Sequence, residues 1–172
     1  MKRIVIVLAA TSVLALGACK KQAPESLPPP PQSSAEPAPS TPGPSAPQGV
    51  VPGTQAHFAQ QMQGRDTIYF DTDKFNIDAE DQAALAQQAA YLQQYPNIRA
   101  TVEGHCDERG TREYNLALGE RRANAAKNYL ISLGVAANRL TTVSYGKERP
   151  IALGSNEQAW ARNRRAVTIV MN

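Results

Sequence analysis

Residues 98–123 read IRATVEGHCDERGTREYNLALGERRA. In the first part Ile98, Ala100, Val102 and Gly104 alternate with polar neighbours, the pattern of a strand with one buried face. The alternation stops at a polar turn, Asp107 to Gly110. Beyond it Ala123, Ala126, Leu130 and Leu133 recur at helical spacing, predicting a long helix from about Thr111 to Leu133 closed by Gly134. A strand, a charged loop and a long helix in succession are the start of a crossover unit, and this decides the fold class.

The flanks repeat the alternation. Upstream, Thr67-Ile68-Tyr69-Phe70 is a short β-rich run followed by the acidic turn Asp71-Thr72-Asp73. Asp78 stands where a helix N-cap belongs, with Glu80 and Asp81 in the first turn, and Leu85, Ala89 and Leu92 stripe the helix from Ala79 to Tyr95 until Pro96 ends it. Downstream, Leu140 to Tyr145 reads as a third strand, Glu157 to Arg162 as a short helix and Ala166 to Met171 as the last strand. The order β-α-β-α-β-α-β predicts an α/β domain with helices packed on a mixed four-stranded sheet, assigned to residues 57–172.

What precedes that domain has different physics. Met1-Lys2-Arg3 is basic, Ile4 to Leu16 is almost wholly apolar, and Leu16-Gly17-Ala18-Cys19 follows. This order is that of an export signal over residues 1–18, and the apolar run falls short of the about 20 residues that span a bilayer. The last four residues resemble a bacterial lipobox, which implies lipidation of Cys19; a buried strand or core helix is the rival reading of the segment. Lys20 and Lys21 follow where an aspartate would retain a lipoprotein in the inner membrane, so the outer membrane is expected. Residues 19–56 then hold 11 of the 13 prolines, and no aromatic occurs before Phe58. Such a segment buries too little apolar surface to offset its entropy and reads as a disordered tether. At about 3.1 Å per residue, roughly thirty residues of it reach on the order of 90 Å. A proline-motif docking site is the rival reading there.

The net charge of +3 is mild and does not point to nucleic acid. Of the 18 basic residues Lys2 and Arg3 leave with the signal, so 16 face 15 acidic ones. The densest polar cluster, Glu103 to Gly110, admits no enzyme reading that survives geometry. His105 and Cys106 are adjacent and point to opposite sides of a continuing strand, a poor nucleophile–base pair. His105, Cys106 and the distant His57 offer too few ligands for a metal, and Asp107 and Glu108 lack a partner geometry for paired-carboxylate chemistry. No catalytic residue, metal or cofactor is expected. Cys106 reads as a packed, inert thiol, His105 as a loop-ordering residue, Arg162, Arg164 and Arg165 as a solvated face or protein contact, and Trp160 as core packing. Recognition of a charged group is the better reading. Asn115, Leu118 and Arg122 share one face of the long helix, and Asp107 lies in the loop before it. Asp107 and Arg122 would grip the ammonium and carboxylate of a zwitterion, or else pair with each other and pin the loop; the residues alone leave both open.

Tyr69-Phe70-Asp71, Gly104 to Gly110, Tyr114 to Gly119, Arg121-Arg122-Ala123, Val143 to Gly146 and Asn163 to Val167 resemble the OmpA-like family, and within it the peptidoglycan-associated lipoproteins. The resemblance covers the globular part, the lipobox and the tether; Cys106 and Gly119 depart from the wider pattern, where threonine and serine stand. It implies non-covalent binding of the diaminopimelate of the peptidoglycan stem. Asp107 and Arg122 would hold it, Asn115 and Leu118 would line the site, and Phe70 and Asp71 would form the opposite wall. It further implies a periplasmic domain anchored to the outer membrane, TolB and through it the TolA complex as partners, and a role in envelope integrity and constriction at division. A related lipoprotein anchoring another envelope complex is the alternative.

Overall fold

The computed structural model describes residues 50–171. The expected signal segment, Cys19 and most of the proline-rich tether lie outside the described residues. Within them the elements run α1 (Gln55–Met62), β1 (Thr67–Tyr69), α2 (Ala79–Gln94), β2 (Arg99–His105), α3 (Arg112–Ser132), a 3-10 turn (Ala137–Arg139), β3 (Leu140–Gly146), α4 (Glu157–Asn163) and β4 (Arg165–Met171).

The strands form one mixed sheet in the order β1-β4-β2-β3. β2 and β3 are parallel, as a crossover through α3 requires, while β4 runs antiparallel to both β1 and β2. The expected class is therefore the observed one. Ala100 and Val102 on the buried face of β2 are fully covered, and Ala123, Ala126 and Leu130 of α3 meet the same core with Leu85, Ala89 and Leu92 of α2. The helix ends form as the sequence dictates: Asp78 and Thr111 accept the backbone N–H of Asp81 and Tyr114, and Gly134 closes α3 at φ +96°.

Besides the short 3-10 turn, α1 is the one described element that the apolar pattern does not indicate. The expected domain boundary at residue 57 falls inside it. Thr54 caps it through the His57 N–H, Phe58 and Met62 one turn apart enter the core, and the Gln55 side chain accepts the Val170 N–H at 2.7 Å. Two buried positions in a short polar helix are too few to register as a periodic stripe.

Two glycines set how closely α3 lies on β2. A Cβ on Gly104 would collide with the Gly119 carbonyl, and one on Gly119 would collide with the Ser144 hydroxyl. The β2–β3 register shifts between Gly104 and His105, just where β2 leaves the sheet for the Asp107 loop. Close approach and bulge together place that loop beside the first two turns of α3.

Candidate functional site

The β1–α2 loop and the β2–α3 loop face each other across the start of α3 and enclose a cavity of about 240 Å³. Asp107, Asn115, Leu118 and Arg122 all line it, together with Thr72, Asp73, Cys106, Arg109, Tyr114 and Arg164. Three guanidinium groups against two carboxylates make the lining net positive.

Arg122 forms the floor and is fully buried. Its Nε donates to the Lys74 carbonyl at 2.9 Å, one Nη to the His105 carbonyl at 2.9 Å and the other to the Asp71 carbonyl at 3.0 Å. A guanidinium has five N–H donors, so one on each Nη remains unused, the pairing that suits a carboxylate. The Phe70 ring lies 5.1 Å below the guanidinium carbon. Burial lowers the pKa of Arg122 from its ordinary value, and the Arg164 charge acts in the same direction. Among the described residues no carboxylate touches this buried cation, although the Asp107 charge acts on it favourably, and an anionic ligand group would supply the direct contact.

Asp107 does not pair with Arg122, so the loop-pinning alternative is set aside. Its carboxylate is held instead by Arg109, whose Nη2 reaches Oδ2 at 2.6 Å and whose Nε and backbone N–H reach Oδ1 at 3.0 and 3.1 Å. Arg164 adds a fourth contact to Oδ2 at 3.4 Å. Burial pushes the Asp107 carboxyl upward, but the hydrogen bonds and charge of Arg109 outweigh it and hold the group below its ordinary value. The loop that carries it is pinned from both sides: Asn115 donates to the Arg109 and Thr111 carbonyls at 2.7 and 2.9 Å, and Lys147 to those of Glu108 and Gly110 at 3.2 and 2.7 Å. Asn115 thus lines the cavity while spending its amide on the loop. Leu118 is the apolar part of the wall.

Phe70 and Asp71 act differently from the side chains above. The Asp71 carbonyl and the Phe70 ring support Arg122 from below, but the Asp71 carboxylate points outward, 74% exposed and paired with Lys74 at 2.9 Å. Both residues line a separate groove of about 350 Å³ with Tyr69, Asn76 and Arg162, on the other side of Arg164. Cys106 and His105 diverge as expected: the thiol packs at 3.3 Å from the Asn115 carbonyl, and the imidazole stacks on Tyr145, 5.5 Å between centroids. Burial raises the Cys106 pKa and lowers that of His105 to about 4.

Three residues depart from the expectation. Arg164 and Arg165 are not a solvated face; both are buried, and only Arg162 of that run is exposed. Arg164 donates to the Phe70 carbonyl at 2.9 Å and to Glu157 at 2.7 Å besides Asp107. Trp160 is not core packing but half-buried, stacked on Arg109 at 4.2 Å with its N–H donated to Glu108 at 3.0 Å. The available signal is position: β4 starts at Arg165 next to β1, so residue 164 stands at the end of the central strands, where the two loops meet.

Asp107 and Arg122 thus lie on the wall and the floor of one small polar cavity. The OmpA family model matches residues 69–164, which run from the last residue of β1 to the residue after α4 and hold the whole cavity lining. The chain belongs to the OmpA family, in its peptidoglycan-associated lipoprotein branch, and is not an enzyme. The peptidoglycan-associated lipoprotein of Rhizobium meliloti (strain 1021) is 53% identical over 121 residues, 70% of this chain and 68% of that protein. The crystal structure of the peptidoglycan-associated lipoprotein from Burkholderia pseudomallei, 46% identical, superposes with a TM-score of 0.60 over 61% of this chain and 89% of that one. The C-terminal domain of Helicobacter pylori MotB, 23% identical, matches with a TM-score of 0.58 over 62% and 84% of the two chains, a likeness of fold alone.

Proposed function

We propose that this domain binds peptidoglycan without covalent chemistry, by taking the diaminopimelate end of the stem peptide into the cavity between Asp107 and Arg122. In this reading the ligand carboxylate lies on the two free N–H groups of Arg122 and the ammonium on Asp107. With a lipid on Cys19 the chain ties the outer membrane to the wall. Through TolB and the TolA complex it serves envelope integrity and constriction at division. The observation that carries the reading is the unpaired, fully buried Arg122 facing a carboxylate across the cavity, in a chain 53% identical to a protein named as peptidoglycan-associated.

Cosedimentation of the chain with purified sacculi tests it. Asp107→Asn is expected to reduce binding by at least tenfold, since it removes the charge that would meet the ammonium. Arg122→Lys keeps the charge but not the fork and is expected to weaken binding comparably. Circular dichroism confirms that each variant is folded. Binding unchanged in both folded variants would remove the site. Capture of TolB by the immobilised chain tests the partner separately, and its failure with a folded, sacculus-binding protein would favour an anchor for another envelope complex.

A further inference from the structure

The carboxylate assigned above to the ligand ammonium is already full. A carboxylate offers about four lone-pair positions, and Asp107 has four donors on it: the Arg109 Nε and backbone N–H on Oδ1, and the Arg109 Nη2 and Arg164 Nη1 on Oδ2. Two of these cannot leave. Arg164 is buried and held at both Phe70 and Glu157, and the Arg109 backbone is fixed by its own carbonyl's bond to Asn115. The Arg109 side chain can. It is 39% exposed, and its Nη2 extends over the cavity to the Thr72 hydroxyl at 3.2 Å, tying the β2–α3 loop to the β1–α2 loop. Arg122, on the floor, has no exposed surface while this tie is in place.

We propose that the Arg109 side chain is a latch that occupies the ammonium position of the cavity in the free domain and must leave Asp107 for a zwitterionic ligand to enter. The proposal rests on the binding site proposed above. The guanidinium stands in for the ligand cation: it makes the same charge-assisted contacts to the same oxygens, so binding is an exchange of one cation for another. Its release also opens the bridge to Thr72 and the way to Arg122. The freed side chain has a place to go, because Glu157, on the same helix as the Trp160 ring that it now covers, supplies a carboxylate toward which it can swing. The exchange makes the site selective. A ligand end that is anionic but lacks an ammonium cannot replace Arg109 on Asp107.

Two synthetic tripeptides test this, one ending in meso-diaminopimelate and one in which hydrogen replaces its terminal ammonium. Wild-type chain and Arg109→Gln are titrated with both. Removing the competitor is expected to tighten the ammonium peptide about tenfold, the weight of one charge-assisted hydrogen bond. The deaminated peptide cannot take the vacated place on Asp107 and gains only the opened way to Arg122, so it is expected to tighten less than the ammonium peptide. Trp160 is the single tryptophan of the chain. Its emission is expected to shift on binding to the wild type, where the stacked guanidinium moves, and not in Arg109→Gln. Weaker binding of both peptides by Arg109→Gln would make Arg109 a ligand contact and overturn the latch. Equal affinities, or wild-type saturation with silent Trp160 emission, would overturn it as well. If neither protein binds the ammonium peptide, the binding site itself falls, an outcome distinct from these.

Discussion

Asp107 and Asp81 are buried to the same degree, each 6% exposed, and they titrate in opposite directions. Asp107 sits in the cavity with Arg109 and Arg164 on both oxygens and is held below its ordinary pKa. Asp81 sits in the first turn of α2, where Oδ1 accepts the Tyr69 N–H at 3.1 Å and the Asp78 side chain already caps the Asp81 N–H. Its Oδ2 has no hydrogen-bond partner among the described residues, and burial pushes the Asp81 carboxyl up to about 6. Loss of water is common to both; what differs is whether cations replace it. The Asp107 carboxylate has cations on both of its oxygens, whereas the β1–α2 junction leaves the Asp81 carboxylate to the full cost of burial.

Breaking the paired region should have the larger effect. Asp107→Ala removes the acceptor for Arg109 and leaves buried Arg164 with only Glu157 and the Phe70 carbonyl. Deletion of one partner of a buried pair costs about 3 kcal/mol or more. Urea denaturation at pH 7 is expected to show that loss with an unchanged slope. A loss under about 1 kcal/mol would mean that Glu157 alone satisfies Arg164, and the contrast between the two aspartates would shrink accordingly.

The elements of this contrast are not equally legible in the sequence. Strand alternation from Ile98 to Gly104 and the stripes on α2 and α3 are repeated features, so the sheet and its two long helices can be read directly. Asp107, Asn115, Leu118 and Arg122 are within reach because three of them share a helix face and the fourth adjoins it. Arg164 is not, because its role depends on antiparallel pairing of β4 with β1, a contact 94 residues apart in the chain. Asp71 reaches Arg122 through an atom that residue type does not suggest: its carbonyl supports the guanidinium while its carboxylate faces solvent. Asp81 looks like an ordinary first-turn acid, since helix position does not reveal that Tyr69 of another element covers it.

Asp81 sharpens the comparison through pH. Its folded pKa is raised, so the folded chain holds the proton more tightly, and ionisation above pH 6 costs stability that is recovered as pH falls toward 4. His105 acts oppositely over nearly the same window. Its folded pKa is lowered from 6.5 to about 4, so its contribution is complete above pH 6.5 and is lost as pH falls through that range. The two nearly cancel, and the melting temperature of the wild type should change little from these groups between pH 6 and 4.5. Asp81→Asn removes one side of the balance. It is expected to stabilise the fold at pH 7 by about 1–2 kcal/mol, part of the roughly 3 kcal/mol that separates a carboxyl titrating at about 6 from one at 3.8. It should also lose stability on acidification where the wild type does not. A variant that follows the wild-type profile would show that Asp81 is not a burdened carboxylate.

The smallest change tests which part of the raised Asp81 pKa is charge and which is burial. Asp78 caps α2 with its Oδ1 and also raises the Asp81 pKa by its own negative charge, as Glu80 does more weakly. Asn caps a helix as well as Asp does, so Asp78→Asn keeps the N-cap and removes only the charge. The Asp81 carboxyl, followed by NMR titration, should then move down from about 6 yet stay above the 3.8 of an ordinary aspartate, because desolvation is the larger cause. A fall all the way to the ordinary value would mean that the neighbouring charges, rather than the missing partner on Oδ2, set Asp81 apart from Asp107. The two buried aspartates would then differ in the sign of their neighbours alone.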